Sequence, residues 1–240
     1  LGLDFHQDIL ARAKKLKVIA TATTGLDHIA LAEAKKWRIE ILSLRGEDKF
    51  LNTVTGTAEL AFGLLIDLLR RTPWAFEDVK NYRWRRDDWK GVSLYGKTLG
   101  VIGLGRLGKM TARFGKAFGM KVLFTDPNVS PKDFPEYKKV FLEKLLRESD
   151  AISLHLHLTK ETENFLAQKE FAQMKKGAVL INTSRGKIVN EKDLFAALEN
   201  GTIAGYATDV LADELSFETA GFKNYPLVEY AKKNRNVIIV

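Results

Sequence analysis

The 240-residue chain contains no cysteine. That excludes a disulfide scaffold, a thiolate nucleophile and any Cys-ligated metal. It also lacks a long apolar run. The longest, Leu60 to Leu69, is broken by Asp67 and falls well short of the ~20 residues a spanning helix needs, so no membrane segment is expected. No secretory signal is legible, since Leu1-Gly2-Leu3-Asp4 has neither a basic start nor an apolar core. No Met opens the chain, and Asn236–Val240 reads as a strand with no turn after it. The expectation is an internal piece of a longer cytoplasmic protein. Repeats and low-complexity segments are absent too.

The hydrophobic fraction is 45% and the charged fraction 28%, which excludes disorder as the main state. Lys and Arg exceed Asp and Glu by 38 to 30, a net charge of +8 that favours anionic ligands and leaves nucleic acid open.

Val18–Ala22 is short and β-branched and reads as a buried strand. Residues 29–36 are good helix formers, and Arg38–Leu42 is a second strand. Ala61, Leu64, Leu65 and Leu68 recur at helical spacing, with Thr57 as candidate cap and Pro73 marking the far end. Residues 80–91 interleave basic and aromatic side chains. They are read as a linker that packs its Trp residues and solvates its cations, rather than as a single-strand nucleic-acid binder. Strands are then expected at Leu99–Gly103, Lys121–Thr125, Ala151–Leu154, Ala178–Asn182, Ile203–Asp209 and Asn236–Val240. Helices fall between them at Arg106–Phe118, Leu142–Glu148, Gln168–Met174 and Glu191–Glu199. Such alternation predicts a parallel sheet covered on both faces.

Gly103-Leu104-Gly105-Arg106-Leu107-Gly108 is a G-x-G-x-x-G that ends one strand and opens a helix. The inner face of that helix is read as Leu107, Met110, Phe114, Ala117 and Phe118. Asp126 closes the next strand, 23 positions after Gly103, near the ~20 expected of a ribose-binding acid. Gly103 permits the tight turn, Gly105 lets backbone approach a pyrophosphate, and Gly108 lets the helix pack closely. The helix start at Arg106 and Leu107 offers N–H groups and partial positive charge to phosphate. Asp126 would pair with ribose hydroxyls and repel a 2′-phosphate, which predicts NAD over NADP. Asn182-Thr183-Ser184-Arg185-Gly186 ends another strand, so Arg185 sits where ligands of open parallel sheets lie, and its fork suits a carboxylate. Asp209 ends the following strand, and Glu214 comes five residues later. His155 and His157 have no companion acid or thiol cluster, so no metal site is expected.

Six stretches taken together resemble the D-isomer-specific 2-hydroxyacid dehydrogenase family. They are Thr24-Gly25-Leu26-Asp27-His28-Ile29, Ala58-Glu59, Tyr95 to Gly105, Leu154-His155 before Leu158-Thr159, Asn182 to Gly186, and Asp209-Val210 with Glu214. The resemblance implies a Rossmann-type doubly wound parallel sheet at 92–240. It also implies a truncated flavodoxin-like α/β substrate domain at 1–91, with the substrate in the cleft between. The activity it implies is hydride transfer between NAD(H) and a D-2-hydroxy acid or 2-keto acid, in a homodimer; NAD-sensing corepressors of similar architecture are the alternative. Arg185 then matches the catalytic arginine and Glu214 the glutamate that tunes a histidine. Thr24 and Gly25 help hold the substrate carboxylate. His155, Thr183, Ser184 and Asp209 join the glycine turn and Asp126 around the cofactor, Asp209 accepting from the nicotinamide carboxamide. The family's own catalytic histidine is expected beyond Val240. Two departures stand out: Glu214 is followed by Leu215 rather than proline, and His155-Leu156-His157 replaces His-x-Pro.

Overall fold

A computed structural model describes residues 5–214, 217 and 221–240. The chain forms two compact units, Leu1–Val54 and Thr55–Val240. The first contains α1 (Gln7–Arg12), β1 (Val18–Ala20), α2 (Leu31–Lys36), β2 (Glu40–Leu42) and α3 (Asp48–Leu51). Strands β1 and β2 pair in parallel, Ile19 opposite Ile41. Ile19 is buried with Leu10, Ile29, Ala34 and Ile39. Val18 is 43% exposed, so β1 is not the fully buried strand expected. Alternate residues of a strand point to opposite faces, and only the Ile19 face meets α1 and α2. Leu1 to Asp4 lie outside the described residues.

In the second unit the order is α4 (Gly56–Arg70), α5 (Thr72–Lys80), β3 (Thr98–Ile102), α6 (Arg106–Ala117), β4 (Lys121–Thr125), β5 (Lys138–Lys139), α7 (Leu142–Glu148), β6 (Ala151–Leu154), α8 (Gln168–Gln173), β7 (Val179–Asn182), α9 (Glu191–Glu199), β8 (Gly205–Thr208), α10 (Pro226–Lys233) and β9 (Val237–Ile239). The seven strands form one sheet, β5-β4-β3-β6-β7-β8-β9, every pairing parallel. Leu99, Val101, Val179 and Ile181 face α4 and α6 on one side. Ile152, Leu154, Leu180 and Tyr206 face α7 to α10 on the other. This is a Rossmann-type doubly wound sheet. Fully buried side chains such as Leu99 and Phe124 contribute roughly 1.5–3 kcal/mol each.

Three expectations change. The inner face of α6 is Gly108, Met110, Thr111, Ala112 and Gly115; of the residues expected there only Met110 is buried. A Cβ at Gly108 would collide with the Gly103 carbonyl, and one at Gly115 would stand 2.6 Å from Leu99. The helix lies too close to β3 to admit bulk there. Phe114 and Phe118 instead pack on Phe62 of α4, at 5.8 and 5.0 Å between rings.

Thr57 lies inside the first turn of α4, and Thr55 holds the cap position. The helix ends at left-handed Arg71, while Pro73 sits in the first turn of α5. There its fixed φ and missing N–H are compatible with a helix start.

Within 80–91 the cations are ordered rather than simply solvated, and Trp84 is 81% exposed. Asp78, 1% exposed, accepts from Arg83 and Arg85, two bonds each, and from Trp89 Nε1 at 2.8 Å. Burial alone would raise its carboxyl pKa, but these donors outweigh it and hold the pKa at about 2. Arg235 lies 4.8 Å over the Trp89 ring.

Gly108→Ala is expected to cost about 1–3 kcal/mol by overpacking. Gly105→Ala, which meets nothing within 4 Å, should cost less than about 1 kcal/mol. Urea midpoints of the two variants check the difference.

Candidate active site

Strand order places β4 on one side of β3 and β6 on the other. Ligands bind where the order reverses, outside the carboxyl ends of such strands. Gly103 occupies that point with φ +88°, and a Cβ on it would collide with the His155 carbonyl. The two loops are held side by side by Gly103 N–H to Thr125 O at 2.9 Å and His155 N–H to Ile102 O at 2.8 Å. Gly105 is the N-cap of α6, exposed, with no side chain capping the helix. Arg106 and Leu107 open its first turn, half-buried.

Asp126 is fixed by its own backbone surroundings. Its Oδ2 accepts the Leu104 N–H and its Oδ1 the Asn128 N–H, both at 2.8 Å. A carboxylate has about four lone-pair sites, so acceptor capacity remains. His155 is half-buried, its Nε2 2.9 Å from Ser153 Oγ. Burial drives its pKa down to about 4, so the ring is neutral at physiological pH.

The turn after β7 is a hydrogen-bonded knot. Asn182 Oδ1 accepts the Ser184 N–H at 3.0 Å, and Asn182 Nδ2 donates to Arg185 O at 3.0 Å. Ser184 Oγ donates to Leu154 O at 2.6 Å, tying the turn to β6. The half-buried Arg185 is drawn in by Nη1 donating to Ser184 O at 2.7 Å. After β8, Asp209 feels both Arg185 and Glu214. Burial raises its pKa, Glu214 raises it further, and Arg185 opposes them. The structure thus gathers Arg185, Asp209 and Glu214 at one edge. Glu214 Oε2 accepts the Leu211 N–H at 2.9 Å; Leu215 lies outside the described residues.

Thr24 and Gly25 belong to the first unit. There the Thr24 carbonyl accepts from Arg45 Nε at 2.8 Å and the Gly25 carbonyl from Thr23 Oγ1 at 2.7 Å. His28 Nε2 is 3.3 Å from Thr21 Oγ1.

Residues the sequence did not single out are Glu191 and Arg45. A Cβ at Gly186 would strike the Leu211–Ala212 peptide. The glycine after Arg185 was visible, but its contact partner, 25 positions on, was not.

Two atoms bear on cofactor fit. Among the described residues five buried side-chain atoms have no hydrogen-bond partner, and two of them, Asp209 Oδ1 and Thr183 Oγ1, lie at this edge. Buried polar atoms are rarely left so. Both lie at carboxyl ends of strands, on the far side of the Gly103 turn from Asp126, with open space at Gly105. A dinucleotide fits this set of residues.

Fold and site together define a dinucleotide-binding α/β protein. Residues 62–239 match the D-isomer specific 2-hydroxyacid dehydrogenase NAD binding domain, and residues 2–48 match the catalytic domain of the same family. The chain belongs to that family. It is 39% identical over 226 residues to a glyoxylate reductase of Thermococcus litoralis, covering 90% of this chain and 67% of that one. It is 37% identical over 217 residues to a D-3-phosphoglycerate dehydrogenase of Methanocaldococcus jannaschii, covering 89% and 40%. The D-lactate dehydrogenase of Aquifex aeolicus, solved with NAD and lactic acid, superposes with a TM-score of 0.87. Identity is 33%, with 99% of this chain and 72% of that one covered. The chain therefore spans only part of the length of these relatives. Among the described residues no helix is long and apolar enough to cross a membrane.

His155 gives a pH prediction. Its folded pKa of about 4 lies below the unbound value of 6.5, so the unfolded chain binds the extra proton between these values. Stability is therefore expected to fall as pH drops from 6.5 towards 4, by up to about 3 kcal/mol. Urea unfolding across this range should show the loss in the wild type, and His155→Gln should flatten it.

Proposed function

We propose that the chain is the cofactor-holding and substrate-holding part of an NAD-dependent enzyme that interconverts a small D-2-hydroxy acid and its 2-keto acid. The observation that carries this is the placement of Arg185 near Asp209, one carboxylate oxygen of which is buried with no hydrogen-bond partner among the described residues, at the sheet edge that also bears the Gly103 turn. The turn Gly103–Gly108 would hold the pyrophosphate, Asp126 the adenosine ribose, and Thr183 and Asp209 the nicotinamide end. NAD(H), when bound, supplies the hydride acceptor or donor.

The chain's own residues orient and polarise. Arg185 holds the acid's carboxylate and stabilises negative charge developing on the carbonyl oxygen. Glu214 supports the acid–base group. His155 is ill suited to be that group, because burial lowers its pKa to about 4, far from the operating range, and its Nε2 is 2.9 Å from Ser153 Oγ. The arm carrying Tyr82, fully exposed, and Trp84, stiffened by Asp78, is the face through which two copies would pair. Light scattering of the wild type and of Trp84→Ser tests that pairing.

A panel of 2-keto acids with NADH, applied to the longer protein, tests the activity. Arg185→Lys keeps the charge and loses the fork, so kcat/KM is expected to fall about 10²-fold while NADH affinity holds. Unchanged kinetics would take Arg185 out of the site. NADH should bind more tightly than NADPH, and Asp126→Ser should narrow the gap; equal binding by the wild type would remove the role given to Asp126.

A further inference from the structure

Glu191 is the first residue of α9, but Asn190 caps the helix, accepting the Asp193 N–H. The Glu191 carboxylate is instead spent outside its own helix. Oε1 accepts the Ala212 N–H at 2.8 Å, and Oε2 accepts the Tyr225 hydroxyl. Ala212 lies between Asp209 and Glu214, in the turn that follows β8. Gly186 lies against the same turn, with no room for a Cβ beside the Leu211–Ala212 peptide. Thr208 Oγ1 fixes the start of the turn by accepting the Val210 N–H at 3.1 Å. Tyr225, the second group held by Glu191, packs its ring on Phe217 at 5.2 Å. Its hydroxyl stays a donor at all ordinary pH, since burial and the Glu191 carboxylate both raise its pKa.

We propose that Glu191 is a positioning residue that, with Gly186 packed against the same peptide, pins the Asp209–Glu214 turn and so sets where Asp209 meets the nicotinamide end of the cofactor. This rests on the cofactor reading above. The strand order makes the effect one-sided. Asp126, after β4, lies on one side of the Gly103 turn, and Asp209, after β8, on the other. A dinucleotide with its pyrophosphate at Gly103 therefore has its adenosine towards Asp126, remote from the clamp.

The experiment measures NADH and ADP-ribose affinities by calorimetry on the full chain, with hydrogen exchange of the Leu211 and Ala212 amides. Glu191→Ala leaves the Ala212 N–H without its acceptor, and NADH binding is expected to weaken about tenfold or more. ADP-ribose, which lacks the nicotinamide, should change less than about twofold, while the Ala212 amide exchanges faster. Glu191→Gln can still accept from Ala212 and donate to the Tyr225 oxygen, so it should restore most of the NADH affinity. Tyr225→Phe keeps the ring packing and removes only the hydroxyl contact. It gives a smaller loss of the same one-sided kind, and it serves if Glu191→Ala does not fold. An equal loss of both ligands would mark Glu191 as a general fastening of the fold and overturn the proposal, as would unchanged NADH binding. If the wild type binds neither ligand, the cofactor reading itself falls. If it binds ADP-ribose as tightly as NADH, only the role of Asp209 and its clamp is overturned.

Discussion

Where α6 leaves β3 there is no room for a Cβ, and the second unit is arranged around that fact. Gly108 rests on the Gly103 carbonyl and Gly115 on Leu99, so the helix seats directly against the sheet. Gly103, turned into the left-handed region, rests in its turn on the His155 carbonyl. Two loops from neighbouring strands are thereby brought into backbone contact at the point where the strand order reverses. The helix start, with its partial positive charge, is aimed at the gap. Everything placed along that edge — Asp126 on one side, the Arg185 turn and Asp209 on the other — takes its position from this contact.

Two buried carboxylates show how the same group serves different ends. Asp78 receives five hydrogen bonds from Arg83, Arg85 and Trp89, and its charge is held far below the usual titration range. Nothing is left over for a ligand, and the group organises its own segment. Asp209 is also withdrawn from water, but its Oδ1 has no partner among the described residues, and burial pushes its pKa upward. Such a group costs stability unless something else completes it. Satisfaction, rather than burial, separates Asp78 from Asp209.

The segments that were legible in the sequence share one property: their signal is local. Lys121–Thr125, Ala151–Leu154, Leu142–Glu148 and Glu191–Glu199 are found where apolar runs and helix formers place them. The glycine turn and Asp126 are legible because spacing along one strand-helix-strand unit fixes both. The two-residue edge strand Lys138–Lys139 was invisible, since it has neither length nor apolar character. Helix α5 was hidden because Pro73 reads equally as the end of one helix and the start of the next, and only the left-handed Arg71 between them decides. The apolar face of α6 misled for a related reason: large side chains suggest a core, but the closest packing is made by the smallest.

By itself the sequence determined the alternation of strand and helix, the glycine turn with its acid, and the presence of Arg185, Asp209 and Glu214 near strand ends. These follow from residue type and short-range spacing. Only the tertiary structure decided that Arg185, Asp209 and Glu214 feel one another, that Asp78 gathers the arm, and that Glu191 holds a turn 21 positions away. Those contacts join residues far apart in the chain, through parallel pairing and helix packing. No local propensity encodes which distant carboxylate meets which backbone N–H.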